Sequence, residues 1–159
     1  MLKLTCATLA AALFGTSLQA QTSSDSMLIT GDEPEVCTMI SEIPDVVSVD
    51  VASSASQDLG RITYRCNSPD GFTRTISSDN AGMLRRGSQS VPYQLSHSGA
   101  AGLAFSATSI AAPLITRVPG IGSVVAGEPG VMAVTLTGSI GGLLAGEYQD
   151  TITVEIAAN

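Results

Sequence analysis

Residues 145–157, AGEYQDTITVEIA, alternate. Tyr148, Ile152, Val154 and Ile156 fall on one parity, and Glu147, Gln149, Thr151, Thr153 and Glu155 on the other. A period of two with one apolar and one polar face is the pattern of a half-buried β-strand. Gly146 allows a tight turn into it. Asp150 is the exception on the apolar parity, and near a strand start a short carboxylate bonds to turn amides instead of entering a core.

The same period recurs along the chain. In residues 60–66, GRITYRC, Ile62, Tyr64 and Cys66 share a face against Arg61, Thr63 and Arg65. Residues 72–77 (FTRTIS), 91–97 (VPYQLSH) and 131–137 (VMAVTLT) read as further strands, with Pro92 marking a sheet edge or strand start. Residues 37–43 and 46–51 (VVSVDV) predict two more. Asn67-Ser68-Pro69-Asp70-Gly71 is a turn in which proline fixes φ and glycine supplies φ > 0, so residues 60–77 are expected to form a hairpin or a neighbouring pair. Residues 78–82 and 138–144 form two further turn clusters. Residues 99–130, rich in Gly, Ala and Ser, hold only short apolar pieces at 103–105 and 114–118. Outside the first 20 residues nothing shows a capped helical period, and Pro113 breaks the best rival at 108–115. Short strands with turn clusters predict an all-β, immunoglobulin-like antiparallel β-sandwich with Greek-key connections.

Residues 1–20 read as an export signal, with Lys3 as the charged start, an apolar run over residues 4–14 and cleavage after Ala20. The run is about half of the ~20 residues a membrane span needs, and no later stretch is long enough, so no span is expected after cleavage. Residues 21–36 read as an N-terminal arm and residues 37–159 as one sandwich domain, exported to the periplasm, cell surface or medium. Of seven basic residues only Lys3 is a lysine, so the cleaved chain carries six arginines against fourteen acids, a net charge of 6 − 14 = −8. That balance argues against nucleic acid as a partner. Cleavage also removes Cys6. Cys37 and Cys66 remain, and in an exported chain two cysteines are most simply one disulfide. It would close a loop of about 30 residues, giving about 3.5 kcal/mol in the chain-entropy model. A free thiol or a metal pair are the alternatives, although two cysteines and one distant histidine, His97, make a poor zinc set.

The residues offer little chemistry. His97 has only Ser96 and Ser98 beside it, which point the wrong way along a strand for a Ser-His-Asp arrangement. Asp32, Glu33 and Glu35 lack the order of a calcium loop, and read as a solvated arm. The glycines of 138–142 precede no lysine and no helix, so a phosphate loop is unsupported. Arg85-Arg86 is a small basic spot. No catalytic residue, metal or cofactor is expected, and the chain is read as non-enzymatic.

Four stretches carry a family resemblance: the strand ending in Cys66, the Asn80-Ala81-Gly82 turn, the Val91-Pro92-Tyr93 strand, and the Gly-x-Tyr-x-Asp-Thr-x-Thr-Val run from Gly146 to Val154. Together they resemble the spore coat protein U domain family, which includes the pilin subunits of archaic chaperone–usher pili, over about two-thirds of the cleaved chain. The resemblance implies a sandwich incomplete on its own, completed by a donor strand from a periplasmic chaperone or from a like subunit in a homopolymer. Cys37 and Cys66 would be the family disulfide. Tyr148, Ile152, Val154 and Ile156 would border the groove, and Met27 and Ile29 of the arm would be the contacts offered to a neighbour. Here the sequence departs from a donor pattern, because Gly31, Glu33 and Glu35 follow Met27 and Ile29 on their parity.

The leading expectation is an exported structural, pilus-like surface subunit assembling by strand complementation. The second is a self-contained periplasmic or extracellular module binding a glycan or small ligand, against which stand the absence of tryptophan and a total of three tyrosines. A secreted hydrolase comes third.

Overall fold

The computed structural model describes residues 24–100, 102–120, 122–138 and 141–159. The export signal and Cys6 lie outside the described residues. Residues up to Asp32 belong to one unit and Glu33–Asn159 to another. In the first, residues 24–32 carry no regular secondary structure.

Alternation in the sequence becomes two antiparallel sheets. Among the described residues the strands are β1 (Cys37–Ser41), β2 (Gln57–Cys66), β3 (Phe72–Ser78), β4 (Met83–Arg86), β5 (Gln89–His97), β6 (Phe105–Thr108), β7 (Leu114–Val118), β8 (Glu128–Leu136) and β9 (Ile152–Ala158), with one short helix, α1 (Gly122–Ala126), before β8. One sheet runs β1-β2-β8-β5-β4 with β6 against β5, and the other β7-β3-β9. This is an immunoglobulin-like β-sandwich. Ile62 and Tyr64 of β2, Val91, Tyr93 and Leu95 of β5, and Met132, Val134 and Leu136 of β8 are buried against Phe72 and Ile76 of β3 and Val118 of β7. Each such apolar side chain contributes about 1.5–3 kcal/mol on leaving water.

Cys37 and Cys66 stand directly opposite in the β1–β2 register and are joined as the expected disulfide. Asn67 fastens the approach to β1, its Oδ1 accepting from Val36 N at 2.6 Å and its Nδ2 donating to Pro34 O at 2.9 Å.

Four local expectations are corrected. Residues 60–77 are not a hairpin: β2 and β3 lie in different sheets. A hairpin would put Tyr64 and Phe72 on one face of one sheet with nothing opposite. The turn instead carries the chain across the core, and the two rings stack with centroids 5.8 Å apart. Gly71 makes the crossing with φ 77°, where a Cβ would lie 2.0 Å from Val118 O. Residues 46–51 are not a strand. Val47, Val49 and Val51 are half-buried and Val46, Ser48 and Asp50 exposed, so the period survives, but among the described residues no strand pairs with it. The final strand starts at Ile152; before it, Gln149 bridges to Arg85 of β4. Finally, β4 and α1 lie where no element was expected.

One core position holds a charge. Arg74 follows the Phe72/Ile76 parity inward and is fully buried. Its Nε donates to Thr116 Oγ1 at 3.1 Å and Nη2 to Leu103 O at 2.8 Å. The guanidinium lies 5.4 Å from the Tyr64 ring centre and 5.2 Å from that of Phe105, so aromatic faces stand in for a counter-ion. His97, also buried, is 3.2 Å from the Tyr64 hydroxyl through Nε2 and stacks on Phe105.

Burial, and then the nearby Arg74 charge, hold His97 down from 6.5 to about 4. The imidazole is therefore neutral in the fold and free to charge when unfolded. Between pH 6.5 and about 4 the unfolded chain binds more protons, so stability falls as pH drops through that window and His97 contributes nothing to pH dependence above it. The expected loss by pH 4 is about 3 kcal/mol. Urea midpoints at pH 7.5 and 4.5, compared between the native protein and His97→Gln, check this; the variant should lose less on acidification.

Candidate functional site

Burial falls away toward one side of the sandwich. On β3 the inward side chains of Phe72, Arg74 and Ile76 are fully buried. On its neighbour β9 the equivalent Ile152, Val154 and Ile156 are only half-buried. Across from them on β1, Cys37 and Met39 are half-buried and Ser41 is exposed. The reason is topological. Among the described residues β1 pairs only with β2 and β9 only with β3, so each is an edge of its sheet. Both edges lie on the same side.

Between them runs an open groove of about 420 Å³. One wall is Met39, Ser41, Ile43, Pro44, Asp45, Val47 and Val49; the other is Asp150, Ile152 and Val154; Leu59, Ile62, Leu84, Tyr93, Met132 and Val134 line the rest. The valines of 46–51 have an apolar surface to face but no ladder to join. Edge backbone beside exposed apolar side chains is a liability that a partner strand removes.

Two of the polar groups at the groove, Asp150 and Tyr93, are already engaged. Asp150 Oδ2 accepts from Ser78 Oγ and from Tyr93 OH, each at 2.5 Å, and Oδ1 accepts from Asn80 N at 2.9 Å and Thr151 N at 2.8 Å. The sequence reading of Asp150 as a binder of turn amides holds, and the carboxylate also ties β5 of one sheet to β3 of the other. Burial and then the Asp150 hydrogen bond push the Tyr93 phenol well above its ordinary value, keeping it a donor. A volume of this size would suit a small molecule, but with Asp150 and Tyr93 committed to each other, Asp45 is the one carboxylate of the lining left to orient a sugar.

The expected contact residues divide. Ile152 and Val154 line the groove, and Ile156 follows them on the same face of β9. Tyr148 lies outside its lining. Its hydroxyl donates to Gln89 Oε1 at 2.6 Å, and it borders a separate surface depression with Val51 and Leu143. Met27 and Ile29 belong to the other unit and are 84% and 85% exposed. Sequence reasoning did not pick out Met39, Ile43, Leu59 and Met132; the alternation of Val47 and Val49 was the one signal pointing to that wall. His97 lies in the core beside Tyr64 and Phe105. Among the described residues no cluster of three His, Cys, Asp or Glu could hold a metal, and no helix is long and apolar enough to cross a membrane.

No protein-family model matches the chain, and no curated protein matches it. Among solved structures, one match is the pre-assembly complex of the CsuC chaperone with the CsuE tip adhesion subunit, from the archaic chaperone–usher Csu pili of Acinetobacter baumannii. Identity is 15% and the TM-score 0.42, and the match covers 77% of this chain and 39% of that chain. The chain thus spans well under half of the matched structure's length. The spore coat U resemblance rests on the sequence motifs alone.

Proposed function

We propose that this protein is an exported, non-enzymatic structural subunit of pilus-like type whose sandwich is completed by a β-strand lent by a partner, a periplasmic chaperone or another subunit. The observation that carries the reading is the apolar groove between two unpaired sheet edges, β1 and β9. A strand laid there would bond to edge backbone and place alternate side chains over Met39, Ile62, Met132 and Val154, the mode of recognition known as β-strand addition. The motifs that resemble the spore coat U family, the export signal read from residues 1–20 and the Cys37–Cys66 disulfide support this reading.

Thermal melting of the purified, oxidised protein tests the proposal. A 13-residue peptide with apolar residues at alternate positions, at about a hundred times its Kd, should raise Tm by roughly 5–10 °C. A proline at its centre should abolish the rise, because a ladder donor is lost and φ is fixed. An unchanged Tm with every such peptide would overturn strand acceptance and favour a self-contained binding module.

A further inference from the structure

We infer that the groove is filled by a strand of a different, basic protein, one that alternates apolar residues with lysine or arginine, and not by the arm of a second copy of this chain. The inference rests on the strand-accepting reading and deepens it by naming the partner's chemistry.

A strand inserted beside β9 and residues 42–49 presents one parity to the core and the other to solvent. Its solvent-facing side chains become cross-strand neighbours of those on the two walls, at about 5 Å. On the β9 wall these are Thr151, Thr153 and Glu155, all exposed. On the other they include Glu42 and Asp45, both exposed, Asp45 at the groove itself. Neither wall offers a cation. Behind the first wall, Arg61 and Arg65 stand on β2, the carbonyl of Arg61 accepting from Glu42 N at 2.8 Å and Arg65 standing opposite Thr38 of β1 with its Nη2 donating to Ala126 O at 3.1 Å. Arg85 stands on β4, behind Gln149. Each is one strand further back, at about 10 Å from an inserted strand, where salt near 0.1 M already screens most of the interaction. The row of charges an incoming strand meets first is therefore acidic on both sides.

This chain's own arm does not match. Residues 24–36 carry Asp25, Asp32, Glu33 and Glu35 and no basic residue. Glu33 and Glu35 share the parity of Met27 and Ile29. Seating those two apolar residues inward would drive two carboxylates into the groove, and the opposite register would drive Asp32 into it and set Glu33 and Glu35 against the acidic walls. The whole chain's charge of −7 repels a second copy in the same sense.

The test uses the full oxidised protein and four synthetic peptides. Three share the same alternating Ile, Val and Leu and differ at the intervening positions, which are Lys and Thr, Glu and Thr, or Ser and Thr; the fourth copies residues 24–36. Affinities are measured by fluorescence anisotropy at low salt and near 1 M salt. The lysine peptide should bind about tenfold more tightly than the glutamate peptide at low salt, with the gap closing at high salt, and the arm peptide should bind weakest. Asp45→Lys and Glu155→Lys, both at exposed positions, should each narrow the gap, while Asp70→Lys, in the turn before β3, should leave it unchanged. A glutamate or arm peptide binding as tightly as the lysine peptide overturns the inference and leaves strand acceptance standing. An equal narrowing by Asp70→Lys also overturns it, since the preference would then report net charge alone. No binding by any of the four overturns the strand-accepting reading itself.

Discussion

Asp150→Ala should destabilise the domain by about 4 kcal/mol, with Tm falling by about 15 °C. The carboxylate accepts four hydrogen bonds, two from backbone amides and two from the hydroxyls of Ser78 and Tyr93. Hydrogen bonds to a charged acceptor contribute about 1.5–3 kcal/mol each, and they share one acceptor, so their losses do not add. Truncation leaves the Tyr93 hydroxyl, on a side chain only 2% exposed, without its partner. Asp150→Asn should be nearly as costly, because one acceptor oxygen becomes a donor facing donors. Tyr93→Phe should cost less, about 1–2 kcal/mol, since Asp150 keeps three donors. Urea unfolding of the three variants and of the Tyr93→Phe/Asp150→Ala pair checks the order. A double variant no worse than Asp150→Ala alone shows that the phenol acts through the carboxylate.

Removal of the disulfide by Cys37→Ala/Cys66→Ala should cost about 3.5 kcal/mol, a drop in Tm of about 10–15 °C. Its second effect is local. The bond pins the start of β1, one of the two edges flanking the groove, and beyond Ser41 that wall has no ladder of its own. The variant should therefore also show a smaller Tm rise with the alternating peptide than the native protein does. Differential scanning calorimetry with and without peptide measures both. A full-sized peptide response in the variant would show that β1 is held by its pairing with β2 alone.

Strands wholly inside the sandwich were legible in the sequence. β2, β3, β5 and β8 each bury much of one face, and their alternation follows. The disulfide was legible from count and compartment, and Asp150 from its place before a strand. What could not be read depends on partners distant in the chain. Residues 46–51 have a strand's period, but period reports a face to bury and says nothing of a neighbour to bond. The crossing between β2 and β3 depends on Phe72 meeting Tyr64 across a core, which no local turn signal encodes. Arg74 kept the parity of Phe72 and Ile76, but its charge masked it as a core residue until Thr116, Leu103 and two aromatic rings surrounded it. The groove was expected only through a family resemblance, for an opening is defined by strands that do not meet.

The pairing of β3 with β9 also has a consequence in time. Phe72 to Ser78 bond along their length to Ile152 to Ala158, and the two stretches are separated by most of the domain. On a ribosome adding about 5–20 residues per second, β3 is made roughly 4–15 s before its partner. Throughout that delay the smaller sheet lacks a strand and the inward face of Phe72 and Ile76 has incomplete cover. Long-range pairing of this kind folds slowly even once the chain is complete. The topology itself thus keeps the nascent chain from locking its smaller sheet before the last strand has been made.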